Sequence, residues 1–243
     1  MYRRKSGFTL IEILVVFSII AVLAGLVLAG LHVARERARQ AVCRSNLGQL
    51  GKAVSLFVDD NNLRLPRAMQ QDEALGAIYY TDLLAVPYVV ARPALKTPTD
   101  QIAQGMRLRA ASKLNAIFYC PDVRDHSTPS YGVNSFNDTT IKDKTGKAGT
   151  HEFGLTMREK GIPVTVNTIS NPGSTIYLVD SKPGLEFWHV GQGAASAQNP
   201  ETDFTTLAPR HSGHFCVLYL DWHAEFISKN NPDDWAVFKA SPE

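Results

Sequence analysis

Residues 8–31 read FTLIEILVVFSIIAVLAGLVLAGL, and from Ile13 to Ala34 no side chain is charged when His32 is neutral. Twenty-four helical residues rise about 36 Å, enough to cross a hydrocarbon core of about 30 Å, so this stretch is expected to span a membrane as a helix. A secretory signal peptide would share the basic start, Arg3, Arg4 and Lys5, but its apolar run is about 7–15 residues long and ends at a small-residue cleavage site. Here the run is longer, and Val22 to Gly25 offers only a weak site of that kind. Glu12 stands out within it. A carboxylate in the apolar part of a helix is costly unless it finds a cationic partner or solvates itself among headgroups.

The apolar pattern continues past the span through Ala34, Ala38, Ala41, Leu47, Leu50, Val54 and Phe57 at helical spacing, and no proline occurs before Pro66. The helix is expected to run to about Asp59, where Asp59-Asp60-Asn61-Asn62 supplies turn chemistry. Its outer half, amphipathic, forms the spine for a head. Arg35, Arg37, Arg39 and Arg44 read as a solvated face or a headgroup contact. With Arg3, Arg4 and Lys5 on the other flank, the charges nearly tie on the side that faces the cytoplasm.

The chain has 243 residues, 44% hydrophobic and 20% charged, enough for one or two folded domains. The net charge of +2 comes from the leader; beyond Gly7, 22 basic residues face 23 acidic ones, which argues against nucleic-acid binding through bulk charge. After Pro66, prolines and glycines punctuate shorter segments. Residues 72–86 and 100–112 are helix candidates. Ala116 to Tyr119, Thr175 to Val179, Phe215 to Leu220 and His223 to Ile227 are strand candidates, the last two forming a hairpin around Asp221-Trp222. Residues 137–152 read as an exposed loop.

Lys5-Ser6-Gly7-Phe8-Thr9-Leu10-Ile11-Glu12 resembles the processing site of type IV pilins and type II secretion pseudopilins. The resemblance implies an α+β, pilin-like fold: a long amino-terminal helix packed on a small antiparallel sheet with long loops. Its segments would be a leader (1–7), a membrane-spanning half-helix (8–34), a spine (35–62) and an extracytoplasmic head (63–243). It further implies that a prepilin peptidase cuts between Gly7 and Phe8 and methylates Phe8, that Glu12 pairs with a neighbouring subunit's amino group, and that the partners are other pilin or pseudopilin subunits. It places the leader in the cytoplasm, the helix in the bacterial inner membrane as a single pass, and the head in the periplasm or in a surface filament. A membrane-anchored binding module that does not polymerise is the alternative.

The head carries a second resemblance, to bacterial prepilin-like proteins with an H-x9-D-G pattern. His211 and Asp221 match it, with Trp222 in place of the glycine. Cys43-Arg44-Ser45-Asn46-Leu47, Tyr119-Cys120-Pro121, Ser130-Tyr131-Gly132-Val133-Asn134 and the strand ending at Asp180 are also similar. The turn at Trp222 is therefore expected to be longer than two residues or of another type.

Of the three cysteines, Cys216 falls in an apolar strand, leaving Cys43 and Cys120 as the expected disulfide, with three free thiols as the alternative. His211, His214, Asp221, His223 and Glu225 are dense enough to consider a cation, but tight ligand spacing is absent. A hydrogen-bonded His211–Asp221 clasp closing the hairpin is expected instead, with no bound metal. Asp233-Asp234 is a further carboxylate pair for calcium, by resemblance only. No nucleophile elbow, P-loop, dinucleotide fingerprint or zinc-protease motif occurs, and Ser212 lies too near His211 and His214 in sequence for a triad, so neither catalysis nor a cofactor is expected.

Overall fold

Helix α1 runs from Leu10 to Asp60 in a computed structural model that describes residues 9–67, 69–90, 97–134, 137–138, 151–152, 165–169, 171–182, 189–190 and 207–228. The chain divides within α1 into two compact units, Met1–Arg39 and Gln40–Glu243. In the first, large apolar side chains including Leu14, Phe17, Ile20, Leu23 and Leu28 are exposed. A helix of this composition is stable with its apolar surface in lipid or against other helices.

In the second unit α1 buries Cys43, Leu47, Leu50, Val54 and Val58, a stripe with spacings of three and four. These pack with Tyr80, Phe118, Tyr131, Tyr177, Leu178, Cys216 and Leu218. Each fully buried leucine contributes about 1.5–3 kcal/mol of transfer free energy, so this stripe fixes the helix to the head. α1 ends where Asn62 adopts φ 55° and the Leu63 amide donates to the Val58 carbonyl at 2.9 Å.

The main described sheet contains β3 (Tyr131–Asn134), β6 (Ile176–Asp180), β7 (His189–Val190), β8 (His214–Tyr219) and β9 (Ala224–Ser228), in the order β7-β3-β6-β8-β9. Its pairings are antiparallel except for β3 with β7. Alternation along β8 turns Cys216 and Leu218 towards α1 and Phe215, Val217 and Tyr219 into a second cluster with Ile176, Val179, Leu207 and Ile227. The register shifts between Ile176 and Leu178, and this irregularity lets adjacent Tyr177 and Leu178 both join the α1 cluster.

The β8–β9 hairpin forms as expected, with a three-residue turn. The Trp222 amide donates to the Tyr219 carbonyl at 3.0 Å, and Trp222 itself adopts φ 72°, the left-handed conformation glycine takes at little cost. Its indole packs against the main core, and its Cβ would lie 3.3 Å from a Cβ placed on Gly51 of α1.

Three expectations are corrected. Residues 72–86 are not one helix: β1 (Met69–Asp72) and β2 (Gly76–Tyr79) pair as a hairpin, followed by α2 (Tyr80–Leu84) and a π-helical turn, Ala85–Val90. Ala116 to Tyr119 is not a strand. Asn115 Oδ1 accepts from the Ile117 amide at 3.1 Å and starts a 3₁₀ turn, Ala116–Phe118. The ends of the expected 137–152 loop pair as β4 (Asn137–Asp138) and β5 (His151–Glu152), and 139–150 lie outside the described residues.

Helix α3 (Pro98–Ala110) falls where the 100–112 pattern puts it. Gly105 is its buried point of approach to α2: a Cβ there would sit 2.5 Å from the Asp82 carbonyl oxygen. Backbone must move to admit it. Gly105→Ala is expected to destabilise the head by about 1–3 kcal/mol, as overpacking does, despite alanine's better helix propensity. A urea titration followed by circular dichroism checks the sign.

Candidate functional site

Glu12 occupies the third position of α1, where its carboxylate reaches back to Thr9. Glu12 Oε2 accepts from the Thr9 amide and hydroxyl, each at 2.8 Å, while the Glu12 amide donates to Thr9 Oγ1 at 3.3 Å. This is a reciprocal capping box: it satisfies orphan amides at the helix start and places negative charge at the positive end of the helix dipole. Sequence reasoning singled out Glu12 but missed Thr9, although the Thr-x-x-Glu spacing announces such a cap. Gly7 and Phe8 lie outside the described residues.

The head holds a buried polar cluster in its own unit. α1 supplies Cys43; the segment after the 3₁₀ turn supplies Cys120; β6 ends on Asp180; and the turn before β8 supplies Arg210 and His211. Ser212 at φ 59° and Gly213 at φ 87° shape that turn. Asn46 Nδ2 donates to the Tyr119 carbonyl at 3.0 Å, and Ser130 Oγ accepts from the Cys120 amide, which together fix the cysteine. Asp180 accepts from Arg210 at 3.1 Å on Oδ1 and from the Cys216 amide at 2.9 Å on Oδ2. Burial pushes its carboxyl above the usual range, and the arginine pulls the other way without cancelling the rise.

His211 is completely buried as a side chain. Its Nδ1 lies 3.0 Å from Asp122 Oδ2, while Nε2 lies 3.2 Å from Cys120 Sγ and 3.8 Å from Asp180 Oδ2. Burial lowers its affinity for a proton, but Cys120 and the carboxylates of Asp180 and Asp122 outweigh that, leaving the imidazole pKa raised. Both thiols titrate above the ordinary range. At Cys43 the Cys120 contact lowers the pKa, but Cys216, burial and Asp180 more than reverse it. At Cys120 the Cys43 contact and burial dominate.

The expected clasp is not formed. His211 precedes β8 and Asp221 follows it, and a six-residue strand holds its ends about 20 Å apart. Asp221 instead accepts from the amide and Nδ1 of His223. Nor do the other residues considered for a cation assemble: Glu225 accepts from the Tyr219 hydroxyl at 2.7 Å, and His214 is exposed. Asp233-Asp234 lies outside the described residues. The Cys43–Cys120 bridge expected from sequence is absent, since all three cysteines are buried free thiols. Arg44 is exposed, as expected of a solvated face, and in addition donates to the Ala224 carbonyl at 2.8 Å, tying α1 to β9.

These features define a pilin-like α+β protein: a long amino-terminal helix, apolar and exposed at first and then buried, followed by a small, mainly antiparallel sheet. Helix α1 is long and apolar enough to cross a membrane. The family described as the prokaryotic N-terminal methylation motif matches residues 2–28. The chain is similar to the type II secretion system core protein G of Aeromonas hydrophila, 41% identical over 73 residues, which is 30% of this chain and 50% of that protein. It is also similar to the type IV wide pilus major component PilA4 of Thermus thermophilus, 42% identical over 60 residues, 25% of this chain and 46% of that one. The chain thus spans about half the length of these curated relatives. No solved structure matches it.

Proposed function

We propose that this protein is a structural subunit of a type IV pilus or a type II secretion pseudopilus, assembled through α1 after a prepilin peptidase removes residues 1–7. The observation that carries this reading is the division of α1. Its first half exposes an apolar surface with one carboxylate, Glu12, near its start, and its second half buries one face in the head. A helix of this kind needs lipid before assembly and other apolar helices after it, and Glu12, besides capping α1, offers them a carboxylate that a cation can meet. The methylation motif and the two relatives support the same reading. In this reading the helix passes once through the inner membrane, the leader is cytoplasmic, and the head is periplasmic or displayed on a filament.

The chemistry at the start follows. Cutting after Gly7 gives Phe8 a free amino group four residues before the Glu12 carboxylate, and methylation keeps that amine cationic. In a bundle of such helices a neighbour's ammonium can replace the Thr9 donors on Glu12, so that each buried charge satisfies another and the axial register is fixed. Intact-mass measurement of membrane-extracted protein is expected to give residues 8–243 plus one methyl group. A mature start near Gly25 would instead identify a cleaved secretory signal. In cells lacking the prepilin peptidase, the unprocessed chain is expected to remain in the membrane and fail to enter filaments. Unchanged behaviour there would favour an anchor that does not polymerise.

A further inference from the structure

The segments that carry the head's resemblance converge on one point in the head. Cys43 Sγ, Cys120 Sγ, an Asp180 carboxylate oxygen and a His211 ring nitrogen all lie within 4.8 Å of one another, and all four residues are buried. Within this set Cys120 Sγ lies 3.2 Å from His211 Nε2, His211 Nε2 lies 3.8 Å from Asp180 Oδ2, and Cys43 Sγ lies 4.0 Å from Asp180 Oδ1. Four donors around one tetrahedral ion at bond lengths of about 2.0–2.3 Å stand roughly 3.3–3.8 Å apart, so the set needs only small adjustments to close on a metal.

We propose that Cys43, Cys120, His211 and Asp180 form a closed, four-coordinate zinc site that staples α1 to the sheet. The donors are two soft sulfurs, one imidazole nitrogen and one carboxylate oxygen, a combination that favours zinc over the hard cations calcium and magnesium. Four protein ligands with no open position make the site structural rather than catalytic.

The surroundings point the same way. Asp122 Oδ2 lies 3.0 Å from His211 Nδ1, on the side of the ring away from the sulfurs, while Nε2 faces Cys120 Sγ at 3.2 Å. A carboxylate behind the distal nitrogen is how metal-binding histidines are held in one tautomer and orientation. The Tyr131 hydroxyl lies 3.2 Å from Cys43 Sγ, placed to donate to a thiolate, and the Cys216 amide orients Asp180. Arg210 is the cation beside Asp180 and offsets part of the negative charge. On binding, each cysteine gives up one proton to solvent and the ion takes the two thiolates, with no change of oxidation state. This inference stands apart from the assembly reading, since none of its residues belongs to the first half of α1.

The test uses the full-length protein extracted in a non-chelating detergent under reducing conditions and exposed to zinc. Metal analysis is expected to give about one zinc per chain, and cobalt(II) in its place should show thiolate-to-cobalt charge-transfer absorption in the near ultraviolet. Cys120→Ser and His211→Ala should abolish both signals, and Cys216→Ala should keep them. Because ligand variants can fail to fold, Asp122→Asn supplies a milder measurement: the same circular dichroism with zinc bound about 10- to 100-fold more weakly. Wild-type protein that stays metal-free after this treatment overturns the proposal. So does zinc retained at full stoichiometry by Cys120→Ser, or a Cys43–Cys120 disulfide in the non-reduced peptide map of protein isolated without reductant.

Discussion

Arg109→Met is expected to remove about 3 kcal/mol from the stability of the head, the low end of the range for breaking a buried ion pair, because Asp82 is fully buried while Arg109 keeps 23% of its side chain exposed. Asp82 of α2 is completely buried as a side chain, and Arg109 Nε of α3 meets its Oδ1 at 2.8 Å. The Tyr79 amide donates to Oδ2 at 2.9 Å, and the guanidinium lies 4.2 Å from the centre of the Tyr79 ring. Burial raises the Asp82 carboxyl pKa, and the arginine, through its hydrogen bond and its charge, pulls it partly back. Methionine preserves the packing of the stem but leaves a desolvated carboxylate with one amide donor. In a domain whose total stability is about 5–15 kcal/mol, that loss is decisive.

Two further measurements separate charge from packing. The double variant Asp82→Asn, Arg109→Met is expected to recover much of the loss, since both charges are then gone; failure to recover would assign the effect to the arginine stem and its ring contact. The sign with pH is also fixed. A carboxyl whose folded pKa lies above its unfolded value binds more protons in the folded state, so stability declines as pH rises through and above the unfolded value of about 4. Without Arg109 to oppose the rise, the variant's deficit should be larger at pH 7 than at pH 5.

The parts of this architecture that were legible in the sequence are those set by local periodicity. The buried stripe from Cys43 to Val58 follows the helical spacing of apolar residues, and the β8–β9 hairpin follows two β-rich runs about a short polar turn. The misread 72–86 segment held its own signal: Asp72 Oδ1 accepts from the Ala74 and Leu75 amides at 2.9 Å, and Gly76 takes φ 79°, so Asp and Gly make a hairpin turn inside an apparent helix. At Ala116 to Tyr119 the β-propensity of the residues yielded to tertiary contact, with Asn46 of α1 holding the Tyr119 carbonyl. The polar cluster was hidden for another reason. Its members come from a helix, a post-helical segment, a strand end and a turn, so no spacing rule joins them. The pairing His211–Asp221 failed because nearness in sequence across an extended strand means separation in space.

Glu12→Leu is expected to leave insertion intact while reducing incorporation into filaments by about 100-fold or more. Leucine suits the hydrocarbon better than a carboxylate, so the membrane-inserted pool should not fall and can rise. Two things are lost. The capping box with Thr9 goes, which costs the start of α1 about 1 kcal/mol, and so does the acceptor for a neighbouring ammonium. An ammonium left without its partner in an apolar bundle carries a penalty of about 3–5 kcal/mol, a factor of roughly 10² to 10³ or more in an association constant. The variant Thr9→Val separates these contributions, because it removes the hydroxyl side of the cap while keeping the carboxylate: it should assemble nearly as wild type. Glu12→Gln keeps a hydrogen-bond acceptor but no charge and should fall between the two. Filament yield per membrane-inserted subunit, measured for all three variants, gives the order Thr9→Val, Glu12→Gln, Glu12→Leu; equal yields for Glu12→Leu and the wild type would remove the carboxylate from assembly.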